Sequence, residues 1–239
     1  MKRLLLAFLL LPALARADGF TPQQRAEIVQ ILRQALREDP SILRDAVTAL
    51  QEDDGARQQA AARAAIDASR QALVADPADP VAGNPSGDVT VVEFYDTRCP
   101  YCRAMLPVMA ELLRSDAGIR LVFKDMPVLG PASVTEARAL LSAQRQGGYA
   151  RLQDALMHDR AQPSQDGLRQ TAARLGLDGD RLLRDMGDPA IQARLDGNIH
   201  LAQALGVQGT PALVIGTRMI PGAVDLAELR QAVAAARAK

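Results

Sequence analysis

Apolar side chains recur at three- and four-residue intervals through most of this chain, and only short stretches break that rhythm. Ile28, Ile31, Leu32, Ala35 and Leu36 mark one helical face, opened by Thr21 as N-cap and Pro22 at the first helical position. Asp39-Pro40-Ser41 interrupts it, and Ile42, Leu43, Ala46, Val47 and Leu50 define a second amphipathic helix. Beyond Gly55 an alanine- and arginine-rich helix runs to about Ala75, with only Ile66, Leu73 and Val74 as large apolar residues, so it has little to bury. Pro77, Pro80, Gly83, Pro85 and Gly87 crowd residues 76–88, which therefore read as a linker at a domain boundary.

The period then changes. Val89 to Tyr95 is β-branched and aromatic, as in a buried strand, and Asp96-Thr97-Arg98 leads from it into Cys99-Pro100-Tyr101-Cys102. From Arg103 to Arg114 the spacing of Met105, Leu106, Met109, Leu112 and Leu113 is helical, and Ile119 to Lys124 reads as a second strand, which completes a βαβ unit. Pro131 to about Leu205 is nearly all helical. Strands follow at 212–215 and 218–220, and a last helix runs from about Asp225 to Ala238. The fold class is α/β, with few strands and many helices.

The first seventeen residues stand outside this pattern. Lys2 and Arg3 precede the apolar run Leu4–Leu11, and the small residues Ala15 and Ala17 follow, which predicts a signal peptide cleaved near Ala17 and a periplasmic product. With 28 basic and 28 acidic residues the chain lacks the basic footprint that nucleic-acid binding needs, and at 3% aromatic an all-β fold is not expected.

An oxidising compartment changes how Cys99 and Cys102, the only two cysteines, are read. A bridge between them would close too small a loop to gain much stability, so a structural staple is the weaker reading. Zinc wants four ligands, and beside the thiols the chain offers only His158 and His200, with no ligand-like spacing. No metal and no organic cofactor is expected. The pair sits instead at a strand-to-helix junction, where free backbone N–H groups and the positive dipole end favour an anion. A thiolate is the nucleophile of thiol–disulfide exchange, and C-x-x-C after a strand is the context for it. Two other classes stay open: a Cu(I)-binding module using the thiols with Met105 or Met109, and an adaptor whose N-terminal helices are the working part.

Glu93-Phe94-Tyr95-Asp96-x-x-Cys99-Pro100-Tyr101-Cys102, then Phe123-Lys124-Asp125-x-Pro127, Gly206-Val207-x-Gly209-Thr210-Pro211-Ala212 and Ile220-Pro221-Gly222, resembles the DsbA-like thiol–disulfide oxidoreductases. The resemblance covers about residues 88–239 and implies a thioredoxin fold with a helical insertion at about 132–205. It implies Cys99 as attacking thiolate, Cys102 as resolving thiol, and Pro100 and Tyr101 as tuning the thiolate. It further implies Pro211 as a cis-proline facing the disulfide, Thr210 beside it, and Glu93 with Lys124 as a buried acid–lysine pair below the site. Within the family, the N-terminal helices make the chain look most like the suppressor-of-copper-sensitivity C (ScsC) and Com1-like proteins, some of which are trimeric isomerases. That likeness implies protein substrates with cysteines, a membrane redox partner, a link to copper tolerance, and a homo-oligomer, trimer favoured, through residues 21–50. A monomeric dithiol oxidase is the alternative, with residues 21–75 folded back on the catalytic domain.

Overall fold

A computed structural model describes residues 19–238; the leader expected at 1–17 lies outside the described residues. The described residues divide into two compact units, one up to Gly55 and one from Ala56 onward.

In the first unit, α1 (Pro22–Glu38) opens with a reciprocal cap, the Thr21 hydroxyl accepting from the Gln24 amide while the Gln24 side chain accepts from the Thr21 N–H. It ends at Asp39, whose carboxylate accepts from the Ser41 N–H at 3.0 Å, so Pro40 separates it from α2 (Ser41–Ala68). Val29, Ile31, Leu32, Leu36, Ile42, Leu43, Val47 and Leu50 are all exposed.

The second unit is built on a five-stranded sheet in the order β1-β3-β2-β4-β5: β1 (Val81–Gly83), β2 (Val89–Tyr95), β3 (Ile119–Asp125), β4 (Ala212–Ile215) and β5 (Arg218–Pro221). Only β2 and β3 run parallel, joined by α4 (Pro100–Ser115) as the crossover. Alternation along the strands sends Val89, Val91 and Tyr95 of β2, with Leu121 and Phe123 of β3, to one apolar cluster shared with Met105, Met109 and Leu112 of α4. Val92, Phe94 and Val122 go to a second cluster on the other face, closed by Ile66 of α2, Leu73 of α3 (Arg70–Val74), and Ala202 and Leu205 at the end of α9 (Pro189–Ala204). Because both faces are covered, β2 is buried at nearly every position and reads as a continuous apolar run. The helical insertion comprises α5 (Pro131–Gln144), α6 (Tyr149–His158), α7 (Gln165–Arg174), α8 (Gly179–Asp185) and α9 (Pro189–Ala204), and α10 (Leu226–Arg237) closes the fold. No helix among the described residues is long and apolar enough to cross a membrane.

The segment at 76–88 is more than a linker. Val81, Ala82 and Gly83 pair antiparallel with Val122, Leu121 and Arg120, covering the edge of β3, and Asp79 just before them is buried. The Ala/Arg-rich helix ends at Ala68 rather than Ala75, with the single turn of α3 after it, and its rare apolar residues Ile66 and Leu73 are the ones that reach the core.

Candidate redox site

The turn between β2 and α4 is organised by Asp96, whose carboxylate accepts from the backbone N–H of Arg98 (2.8 Å), Val128 (2.9 Å) and Leu129 (3.1 Å). Its carbonyl accepts from the Cys99 N–H at 3.0 Å. Asp96 thus joins the two loops at the C-terminal ends of the parallel strands and fixes the approach to Cys99; it was not singled out from the sequence, although an Asp three residues before a helix-opening Cys is a turn signal. Cys99 is the N-cap of α4 and Pro100 occupies its first turn, where no N–H is needed.

Both cysteines are thiols here, Cys99 4% and Cys102 1% exposed. The Cys99 thiol donates to the Thr210 carbonyl at 3.2 Å, and the Thr210–Pro211 peptide bond is cis. Burial pushes the Cys102 thiol pKa far above its ordinary value. Thr210, two residues before β4, thus brings the start of that strand to the first thiol. Pro211 is buried, whereas the Tyr101 ring is 67% exposed and free to face a partner. Met105 and Met109 pack in the core cluster together with the two thiols.

Glu93 and Lys124 are not a pair. Glu93 is in register with Phe123 and Phe94 with Lys124, so the acid and the lysine leave opposite faces of the sheet. Glu93 lies on the Cys102 side, and burial, with no cation opposing it, raises its carboxyl to about 7. Lys124 reaches the other way, donating to Asp79 Oδ2 at 2.6 Å and to the Ala72 carbonyl at 2.7 Å. Arg194 of α9 binds the same Asp79 carboxylate, at 2.6 Å. Nothing in the sequence could have named Asp79 as the lysine's partner, because it sits 45 positions away in a stretch without period.

Above Glu93 on the same sheet face, Asp125 accepts from the Tyr95 and Tyr149 hydroxyls, each at 3.0 Å, and the two hydroxyls are 2.6 Å apart. Burial raises Asp125 to about 7 despite these donors. Both acids hold a proton in the folded state that they would lose in the unfolded chain between about pH 4.5 and 7. The folded protein therefore binds more protons in that window, and its stability falls as pH rises through it. Glu93→Gln should flatten this fall and raise stability at pH 8.5 by up to about 3 kcal/mol, which urea unfolding of the reduced protein at pH 5.5 and 8.5 measures. An unchanged slope would mean that Glu93 is already ionised in the folded state.

Comparison with known proteins agrees with this geometry. Residues 90–234 match the DSBA-like thioredoxin domain, and residues 24–62 match the N-terminal domain of the copper resistance protein ScsC. A thioredoxin-like oxidoreductase from Silicibacter pomeroyi is 42% identical, with a TM-score of 0.68 over 71% of this chain and 98% of that one. A linker-deletion mutant of Proteus mirabilis ScsC is 25% identical, with a TM-score of 0.69 over 93% of this chain and 99% of that one. Among curated proteins, the Na(+)/H(+) antiporter NhaA 3 of Salinispora tropica is 31% identical over 160 residues, 66% of this chain. This chain spans only 24% of that relative's length.

Proposed function

The chain belongs to the DSBA-like thioredoxin family, and from that membership and its thiol–disulfide oxidoreductase fold we propose a periplasmic protein disulfide isomerase that works through a Cys99 mixed disulfide. The observation that carries this reading is the placement of Cys99 at the start of α4, against the Thr210 carbonyl, with Cys102 buried behind it. The Cys99 thiolate attacks a sulfur of a substrate disulfide and one substrate cysteine leaves as a thiolate. Isomerisation follows when a different substrate thiolate attacks the mixed disulfide and Cys99 leaves as thiolate, whereas attack of Cys102 on Cys99 releases the substrate reduced and the pair oxidised. In the oxidising direction the same steps run backwards, with the substrate thiolate attacking the Cys99–Cys102 disulfide. Cys102 must lose its proton inside a buried site, and Glu93, whose carboxyl titrates near neutrality beside it, is placed to accept it. Glu93→Gln should slow release of the mixed disulfide by about tenfold or more at pH 7 while the protein stays folded. Release at the parent's rate would reduce Glu93 to a structural role.

Substrates are proteins with cysteines, received along the Thr210–Pro211 edge by main-chain contacts that tolerate many sequences. Pro100 and Tyr101 tune the thiolate, and a membrane redox partner resets the pair. The signal-like leader supports the location. The match of residues 24–62 to the ScsC N-terminal domain, together with the exposed apolar faces of α1 and α2, supports assembly into a homotrimer through residues 21–50. It also supports a role in copper tolerance.

Leu32 and Leu50 are 56% and 62% exposed, and burying each between chains is worth about 1.5–3 kcal/mol, so Leu32→Glu with Leu50→Glu should dissociate the assembly. Light scattering should show a multiple of the single-chain mass for the parent and the single-chain mass for the variant. The variant should keep its insulin-reduction rate per active site but lose most of its ability to refold a scrambled multi-disulfide substrate. Isomerisation gains from several sites held at high effective concentration, whereas one exchange does not. A parent of single-chain mass would favour the alternative, a monomeric dithiol oxidase.

A further inference from the structure

Glu136 lies on α5, inside the helical insertion, and is buried with its carboxylate turned toward the residues that precede the thiols. Its Oε2 accepts from the Thr97 hydroxyl at 2.6 Å, and its Oε1 accepts from Arg98 Nη1 at 3.1 Å. The same guanidinium donates to the carbonyls of Ala161 (2.7 Å) and Arg160 (3.4 Å), in the loop that follows α6. Arg103, one turn into α4, donates through Nε to the Thr97 carbonyl at 2.7 Å and through Nη2 to the Asp159 carbonyl at 2.9 Å. Two arginines that bracket Cys99 and Cys102 in sequence are thus tied to one loop of the insertion, Arg103 reaching the turn directly and Arg98 sharing the Glu136 carboxylate with Thr97. The Arg98 and Glu136 side chains are only 17% and 2% exposed, so solvent screens their charges poorly.

We propose that Arg98 and Glu136 are positioning residues of opposite charge that set the redox equilibrium of the Cys99–Cys102 pair, and that the insertion governs the thiols through them. This rests on the thiol–disulfide reading above. Arg98 is the residue before Cys99, and its guanidinium, held against Glu136 and the loop at 160–161 and poorly screened by solvent, acts through space on the redox turn. A cation there favours the thiolate of the reduced form and a carboxylate disfavours it. Favouring the reduced form makes the disulfide a stronger oxidant. Removing Arg98 takes from Glu136 the cation bonded to it and leaves only the charge of Arg103 opposing it, while neutralising Glu136 frees the Arg98 charge from its carboxylate. The two losses should therefore shift the equilibrium in opposite directions. A clamp acting by rigidity alone would be loosened by either loss and would shift it in one.

The test is equilibration of the full-length mature protein with glutathione. Two glutathione thiols form one disulfide bond, and their two electrons and two protons convert the Cys99–Cys102 disulfide to the dithiol. Arg98→Met should lower the equilibrium constant for reduction by about three- to tenfold, and Glu136→Gln should raise it by a similar factor. The double variant should return to within about twofold of the parent. Shifts of the same sign overturn the proposal, as does a double variant that sums two losses. Should Glu136→Gln fail to fold, Arg98→Lys decides, because it keeps the charge and loses the forked hydrogen bonds. A constant near the parent's supports the proposal, and one moved as far as in Arg98→Met overturns it. A parent that exchanges no electrons with glutathione overturns the thiol–disulfide reading itself, an outcome distinct from any pattern among the variants.

Discussion

Cys102→Ser should turn the protein into a trap that accumulates covalent mixed disulfides through Cys99, and Cys99→Ser should cut insulin reduction on the order of a thousandfold or more with no trapped species. The asymmetry follows from position. Cys99 stands at the N-terminal end of α4, at the positive end of the helix, whereas burial holds Cys102 protonated. Alkylation of the reduced parent at mildly acidic pH should accordingly label Cys99 almost alone. Equal labelling of the two thiols, or mixed disulfides formed through Cys102, would reverse the assignment of attacking and resolving roles.

Asp79→Ala should be the most damaging single change outside the redox turn. The Lys124 and Asp79 side chains are 3% and 1% exposed and 2.6 Å apart, with Arg194 on the other carboxylate oxygen. Burial pushes the Asp79 carboxyl up against the pull of both cations, so the cluster need not outperform an apolar core, yet opening it leaves Lys124 buried without its carboxylate while Arg194 keeps only Asp76. The expected loss is about 3–5 kcal/mol, read from urea midpoints at constant slope. Lys124→Met should cost less, because Arg194 still pairs with Asp79, and should leave mixed-disulfide release at the parent's rate, because Lys124 and Glu93 leave opposite sheet faces. If Lys124→Met slows release as Glu93→Gln does, the two residues act together through the sheet and the separation by face fails.

That separation shows where sequence reading stops. Glu93 and Lys124 drew attention for sound reasons, an acid in an apolar strand and one of three lysines in the chain. Their pairing, however, depended on the register of β2 against β3. A one-residue offset in register exchanges the faces, and a strand buried on both faces carries no alternation from which to read it. β1 was hidden for a different reason. Three residues between prolines and glycines have no strand propensity of their own, and they become a strand only because β3 presents an open edge.

What the sequence determined by itself is local. The helical periods, Thr21 and Pro22 at the start of α1, the β-branched run of β2, and the C-x-x-C between strand and helix each depend on neighbours within a few residues, and each was legible. Motif order, through its resemblance to the DsbA-like oxidoreductases, was enough to reach the thioredoxin fold and its helical insertion. The tertiary structure decided which side chains meet: Cys99 with Thr210, Asp79 with Lys124 and Arg194, and Arg98 with Glu136 and the loop at 160–161. These contacts join positions from 38 to 115 residues apart. They are selected by burial, which leaves a charge or a polar atom inside only where a partner from a distant element satisfies it.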